Sequence, residues 1–367
     1  MKERTVSIEE LENGMLISAD VHTESGVVVV PKNTTVNAEV LNLLARHGIM
    51  EVPVRINADG SVFSGDELDL LTGALDMLEY MEERANKQET FEDTFKFAKT
   101  EVKEIFDKLV AGEDVDVYAL LEIVAAVVEK ADNDTNLFHM LYQKMNQGTE
   151  DLYVHSINVS LYAQLLAKWV RLSADEVELA GLAGILHDVG LLVCREQGEK
   201  NITLHGEYTN KCGFGHMVHS YNLVKDMDVD ERLKQAILNH HERMDLSGFP
   251  QRLSYRSLNN VSRVVAIADA FATLTMKEPG FKFMQPMDAL CYMFDKCYIK
   301  FDTEMLLKFI ENVVRNFMQY EVVLSDGQRG KIVMGNKKEP ARPVVMVGDQ
   351  IVDLAIRKDL TIKEMYY

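Results

Sequence analysis

Apolar positions along this chain change period twice. In the first 60 residues they fall in short β-branched runs, as in Gly14–Val36, broken by turn residues at Ser25-Gly26 and at Pro31 to Asn33. One helical stretch, Ala38–Ile49, follows and stops at Gly48. From there to Asn316 apolar residues recur at helical spacing, and no proline occurs between Pro53 and Pro250. After Tyr320 the period shortens again: Glu321–Gly335 holds two β-branched runs around Ser325-Asp326-Gly327, and Pro343–Val347 predicts a third strand.

This pattern predicts a mainly α protein flanked by small β-rich units. The expected boundaries are a β-rich unit at 1–60, an acidic helical linker or extension at 61–136, an all-helical domain at 137–316 and a β appendage at 317–367. Within 66–130, Leu68–Glu83 and Phe95–Val110 are amphipathic. Such stripes ordinarily face a core; a homodimer formed through these helices is the other use that fits them.

Composition narrows the picture. There are 39 Lys and Arg against 58 Asp and Glu, a net charge of −19, which argues against DNA or RNA binding by a general field. Four cysteines with no CxxC pair indicate neither a disulfide framework nor a thiolate zinc site. The charged start MKERTVSIEE shows no signal peptide, and no uninterrupted apolar run reaches the ~18 residues of a membrane span. The expectation is a soluble, cytoplasmic protein. Of its ten histidines, seven lie between His155 and His241.

Those histidines come with aspartates, in five packets on helical segments. Asp151 and His155 are one helical turn apart. His187-Asp188 ends the apolar run Leu179–Leu186, just before Gly190; His216 and His219 are again one turn apart. His240-His241 ends a fourth helix, and Asp269 interrupts an apolar stripe. A single histidine on an apolar face is ordinarily a core residue. A buried carboxylate, by contrast, needs a partner or a metal, and two polar doublets closing apolar helices are hard to explain as packing. Neutral imidazoles and carboxylates suit divalent iron, manganese, nickel or zinc. So many exceed one tetrahedral site and point to two ions bridged by a carboxylate, for which Asp188 is the natural choice. Two ions roughly 3.5–4 Å apart share a water, turn it into a bridging hydroxide near neutral pH and neutralise phosphoryl oxygens. Phosphoester hydrolysis is the reaction class this implies.

HDVG at 187–190 followed by HHERMDLSGFP at 240–250 resembles the HD-GYP group of the HD phosphohydrolase superfamily, whose pattern is roughly HDIGK, then HHExxDGxGYP. The likeness covers about residues 137–316, and more loosely both β-rich flanks. It implies an all-helical domain with two divalent ions, often iron or manganese, and in some members a third. It also implies hydrolysis of cyclic di-GMP to pGpG or GMP. By motif position the implied ligands are His155, His187, Asp188, His216, His240, His241 and Asp269, with Asp188 central to catalysis. Members with a third ion place a glutamate where this chain has Asp151, which makes Asp151 a candidate ligand. His205 and His219 match no family ligand.

The outer positions depart from that pattern. Leu191 replaces the lysine after HDIG, Leu246 the first glycine of DGxGYP, and Phe249 its tyrosine, whereas Gly248 and Pro250 remain. Where the family often reads RPYR, this chain has Glu278-Pro279-Gly280-Phe281. Arg243 and Lys282 are then the candidates for substrate phosphates, together with the Gly248-Phe249-Pro250 loop; Lys277 is a further nearby cation. The leading expectation is a cyclic di-GMP phosphodiesterase. The alternatives are a weak or inactive member that binds cyclic di-GMP or a partner, a phosphohydrolase for another nucleotide, and a metal-free structural domain.

Overall fold

The chain divides into two units, Met1–Glu89 and Thr90–Tyr367, each described by itself. The computed structural model describes residues 2–23, 28–56, 90–131, 137–138, 140–141, 151–197, 215–276 and 284–366.

In the first unit, β1 (Lys2–Ser7) and β2 (Leu16–Ile17) pair antiparallel on either side of β5 (Glu51–Ile56). A small ladder joins β3 (Val21–His22) to β4 (Val28–Val30). Helix α1 (Ala38–Arg46) follows, and the chain leaves it through Gly48 at φ +68°, the left-handed conformation a glycine adopts without Cβ strain. Val6, Ile17, Leu44, Val52 and Val54 fill the core of this unit.

The second unit is helical at its centre. Thr90 and Asp93 form a capping box that starts α2 (Phe91–Ala111), and Gly112 at φ +77° ends it. The buried residues of α2 recur as Phe91, Phe95, Ala98, Val102, Phe106 and Leu109, and α3 (Ala119–Glu129) buries Leu120, Val124 and Val127. Both stripes join the core that holds the later helices. Residues 90–131 therefore pack as part of the helical unit, and the stripe of Phe95–Val110 faces inward. The first amphipathic stretch, Leu68–Glu83, lies outside the described residues.

The central layer is α4 (Leu152–Trp169), α5 (Ala174–Leu186) and α9 (Asn260–Leu274). Helices α4 and α5 approach closely because Gly184 faces Ser160: a Cβ on Gly184 would lie 2.8 Å from the Ser160 Cα. Around them stand α6 (Gly190–Glu196), α7 (Gly215–Val224), α8 (Glu231–Asn239), α10 (Pro286–Lys296) and α11 (Thr303–Asn316). At one end, polar residues tie three helix starts together. Arg232 at the start of α8 pairs with Asp175 of α5, and Asn260 of α9 donates to Glu176 of α5 at 2.9 Å. Ser173, Asp230 and Asn259 cap the same three helices. Helices fixed at their starts deliver their C-terminal ends, and the residues just beyond, to defined places.

The last residues form an antiparallel five-stranded sheet in the order β10 (Ile362–Tyr366), β6 (Glu321–Leu324), β7 (Arg329–Met334), β8 (Val344–Val347), β9 (Gln350–Asp353). The expected turn at Ser325-Asp326-Gly327 joins β6 to β7, with Gly327 at φ +87°. Val322, Leu324, Ile332 and Val345 share one apolar core with Phe309 and Phe317, so the sheet packs as part of the unit.

Among the described residues, one segment, Ala174–Glu196, is long and apolar enough by composition to cross a membrane. Its most apolar 18-residue stretch is 78% buried inside the unit, and the turn at His187–Val189 breaks the segment.

Candidate metal centre

Each ligand-type residue sits where its element meets others. His155 lies one turn into α4, His216 opens α7, and Asp269 lies within α9. His187-Asp188 follows the end of α5, and His240-His241 follows α8. All seven side chains are buried, from 0% exposure at His155, His187 and His240 to 7% at His241.

Their arrangement is organised by Asp188. Its Oδ2 lies 3.3 Å from His187 Nε2 and 3.9 Å from His155 Nε2. Its Oδ1 lies 3.4 Å from His216 Nε2 and 3.6 Å from His240 Nε2. Asp269 Oδ1 stands 3.2 Å from His155 Nε2 and 3.7 Å from His187 Nε2, and its Oδ2 is 4.0 Å from His241 Nδ1. His241 Nε2 is 3.1 Å from His216 Nε2. Two ligand groups result, His155, His187 and Asp188 on one side, and Asp188, His216, His240 and His241 on the other.

The donor chemistry fits divalent cations. His187 Nδ1 is 2.8 Å from Gly184 O and His240 Nδ1 is 2.7 Å from Ile237 O. Carbonyls only accept, so each Nδ1 carries a proton and each Nε2 is the ring nitrogen turned toward the cluster. Both Nε2 atoms, both ring nitrogens of His155 and Asp188 Oδ1 are buried with no hydrogen-bond partner. Convergent buried lone pairs and carboxylates call for positive charge between them.

Electrostatics inside the cluster run the same way. Burial lowers the His187 pKa, but Asp188, then Asp269 and the Gly184 carbonyl, raise it to about 9 overall. Burial and the adjacent His241 push His240 down to about 3. For Asp188 and Asp269 burial acts upward, yet the surrounding imidazoles hold both well below the usual carboxylate range.

Other residues expected at the site lie elsewhere or act differently. Asp151 caps α4, accepting from the amides of Tyr153 and Val154, and pairs with Lys99. Its carboxylate is engaged by the helix start and an ammonium, and neither ligand group includes it. Arg243 is 2% exposed; its Nη1 donates to the carbonyls of His240 and Glu242, each at 2.9 Å, and its guanidinium lies over Phe301. It supports the His240-His241 turn from behind. Leu191 is buried in the core, His219 is half-buried on α7, and Lys277, Glu278, Phe281, Lys282 and His205 lie outside the described residues.

The Gly248-Phe249-Pro250 loop does reach the cluster. A Cβ on Gly248 would meet Arg243 N at 2.3 Å and His241 O at 2.5 Å, so only glycine fits. The Phe249 ring packs on His241 at 4.9 Å between centroids, and its amide donates to His241 O at 3.2 Å. Sequence reasoning gave no role to Glu242, whose buried carboxylate accepts from the amides of Gln251 at 2.6 Å and Leu253 at 2.9 Å. The signal was a charged residue directly after two ligand-type histidines, inside the quoted motif.

The HD domain family matches residues 152–274, a span that contains His155, His187, Asp188, His216, His240, His241 and Asp269. The chain carries an HD domain. Around this HD domain the resemblance extends further. A cyclic di-GMP phosphodiesterase of Pseudomonas aeruginosa is 24% identical over 272 residues, covering 70% of this chain and 64% of the relative. A 3'3'-cGAMP-specific phosphodiesterase of Vibrio cholerae is 31% identical over 132 residues, 35% of this chain and 30% of the relative. The chain thus spans less than two thirds of the length of these curated relatives. Among solved structures, an HDG"Y"P protein from Bdellovibrio bacteriovorus aligns with a TM-score of 0.51 at 13% identity, over 86% of this chain and all of that one. That likeness concerns the fold.

Proposed function

We propose that this HD domain is a phosphodiesterase for a cyclic dinucleotide, cyclic di-GMP in the first instance, built on two divalent ions. One observation carries the reading: the two oxygens of Asp188 face two separate sets of imidazoles. His155, His187, Asp188 and Asp269 would hold one ion, and Asp188, His216, His240 and His241 the other. Iron or manganese suits this mixed nitrogen and oxygen set. Bound there, such ions supply Lewis acidity toward phosphoryl oxygens and toward water. The relatives named as phosphodiesterases of cyclic di-GMP and cGAMP support the substrate class.

The chain's own contribution is placement. Nδ1 contacts at Gly184 and Ile237 fix two rings in one tautomer, so their Nε2 atoms stay aimed inward. With a net charge of −19, the protein has no general attraction for a dinucleotide, and local cations must provide it.

A second reading has its own observation. Leu191, where the family pattern has a lysine, lies in the core, and Arg243, a candidate for phosphate contact, is held by backbone carbonyls. This favours a weak or inactive HD protein that binds the dinucleotide. One experiment separates the readings. Manganese- or iron-loaded protein is incubated with cyclic di-GMP beside an Asp188→Ala control, with calorimetry in parallel. Linear dinucleotide above the control supports the enzyme. Micromolar binding without turnover supports the binding module, and the absence of both rejects cyclic di-GMP as the ligand.

A further inference from the structure

The two halves of the cluster are not held alike. His155 and Asp269 stand on long helices of the central layer. His240-His241 instead lies at the C-terminal end of α8, where the last carbonyls lose their helical partners. From Glu242 to Leu253 the chain runs without a helix or strand, so the position of the histidine pair depends on what anchors this segment.

Two buried charged residues provide that anchor. Arg243 takes up the His240 and Glu242 carbonyls while its plane rests on the Phe301 ring, 4.9 Å from the centroid. Met244 N donates to Lys300 O at 2.9 Å, which ties the turn to the loop before α11. Glu242 works from the other side. Both its oxygens accept backbone amides, from Gln251 and Leu253, and draw the returning arm of the loop against the histidine turn. That contact presses Gly248 onto the turn and Phe249 onto the His241 ring. Hydrogen bonds to a buried carboxylate are stronger than neutral ones, and few other groups satisfy two amides from one loop at once.

We propose that Glu242 is a positioning residue that sets how tightly the ion between His216, His240, His241 and Asp188 is held, leaving the ion between His155, His187, Asp188 and Asp269 largely unaffected. Arg243 shares that role through the same turn. The inference rests on the two-ion reading of the cluster.

The test is equilibrium dialysis against stepped manganese concentrations, with elemental analysis of ions per chain, on the wild type, Glu242→Gln and Arg243→Lys. Glutamine keeps one acceptor oxygen and the side-chain shape; lysine keeps the charge but loses the fork that reaches two carbonyls. The expected result is two ions in the wild type. In each variant one of them should weaken about 10–100-fold while the other keeps its wild-type affinity. Circular dichroism confirms folding, and Glu242→Gln is conservative enough to stand alone should Arg243→Lys not fold. Both ions held as in the wild type, or both weakened in parallel, overturns the inference. A wild type that binds fewer than two ions overturns the reading beneath it, before any variant is measured.

Discussion

The α4–α5–α9 side of the cluster and the His240-His241 side use the same ligand chemistry but different scaffolding. On the first side, close helix approach places the ligands: Gly184 lets α4 and α5 meet, and His155 and His187 come together as a result. On the second, a turn and a loop place His240 and His241, through Gly248, Glu242 and Arg243. The difference teaches where damage should spread. Changes on the helical side act on folding and the site together, whereas changes on the loop side act on one ion first.

The largest effect should come from erasing the distinction. Asp188 faces both sides, so Asp188→Ala should remove both ions and reduce phosphodiester hydrolysis to background, measured by elemental analysis and product chromatography. Retention of one ion at full affinity would mean that the two sides do not share this carboxylate. Next come paired glycine substitutions that set the sides against each other. Gly184→Ala forces a Cβ against the Ser160 backbone and should cost about 1–3 kcal/mol of stability by thermal or denaturant unfolding. Gly248→Ala forces a Cβ against the backbone of His241 and Arg243 and should weaken one ion about 10–100-fold while the other keeps its affinity. Equal effects of the two on both ions would break the comparison.

A moderate effect should follow pH. With its pKa at about 9, His187 is protonated near neutral pH in the ion-free protein, and an ion taken up there must displace that proton. Affinity on the helical side should therefore rise about tenfold per pH unit from 7 toward 9 and then level off, with proton release visible in calorimetry in buffers of different ionisation heat. His240, at about 3, is already neutral and should add no such slope. The smallest effect concerns Leu246, at φ +64° and half exposed. Leu246→Gly relieves the left-handed strain and should stabilise the protein by up to about 1 kcal/mol, read by thermal unfolding, with ion binding unchanged.

The sequence made the helical architecture legible through local rules, whereas the set of seven inward residues was implied by the motif resemblance, since His155 or His216 alone reads as an ordinary core residue. Proline absence and apolar spacing mark the helices, and polar doublets closing apolar runs have few structural uses. The supporting roles were less legible because they depend on partners distant in sequence. Arg243 reads as a free cation near a loop until Phe301, 58 residues away, turns out to lie beneath its plane. Asp151 sits at ligand spacing from His155, yet the same spacing makes it the cap of α4, and Lys99 completes its pairing. Glu242 resembles any exposed acid until Gln251 and Leu253 return to it. The stripe of Phe95–Val110 could not declare from period alone whether its core was its own or a partner's; the packing of Phe106 and Leu109 shows that it is its own.

The central claim is that Asp188 divides a single buried cluster into two cation sites. Anomalous diffraction from crystals of the manganese- or iron-loaded protein tests it most directly. Two anomalous peaks are expected, one between His155, His187 and Asp269, the other between His216, His240 and His241, with Asp188 touching both. A single peak, or none among these residues, would contradict it.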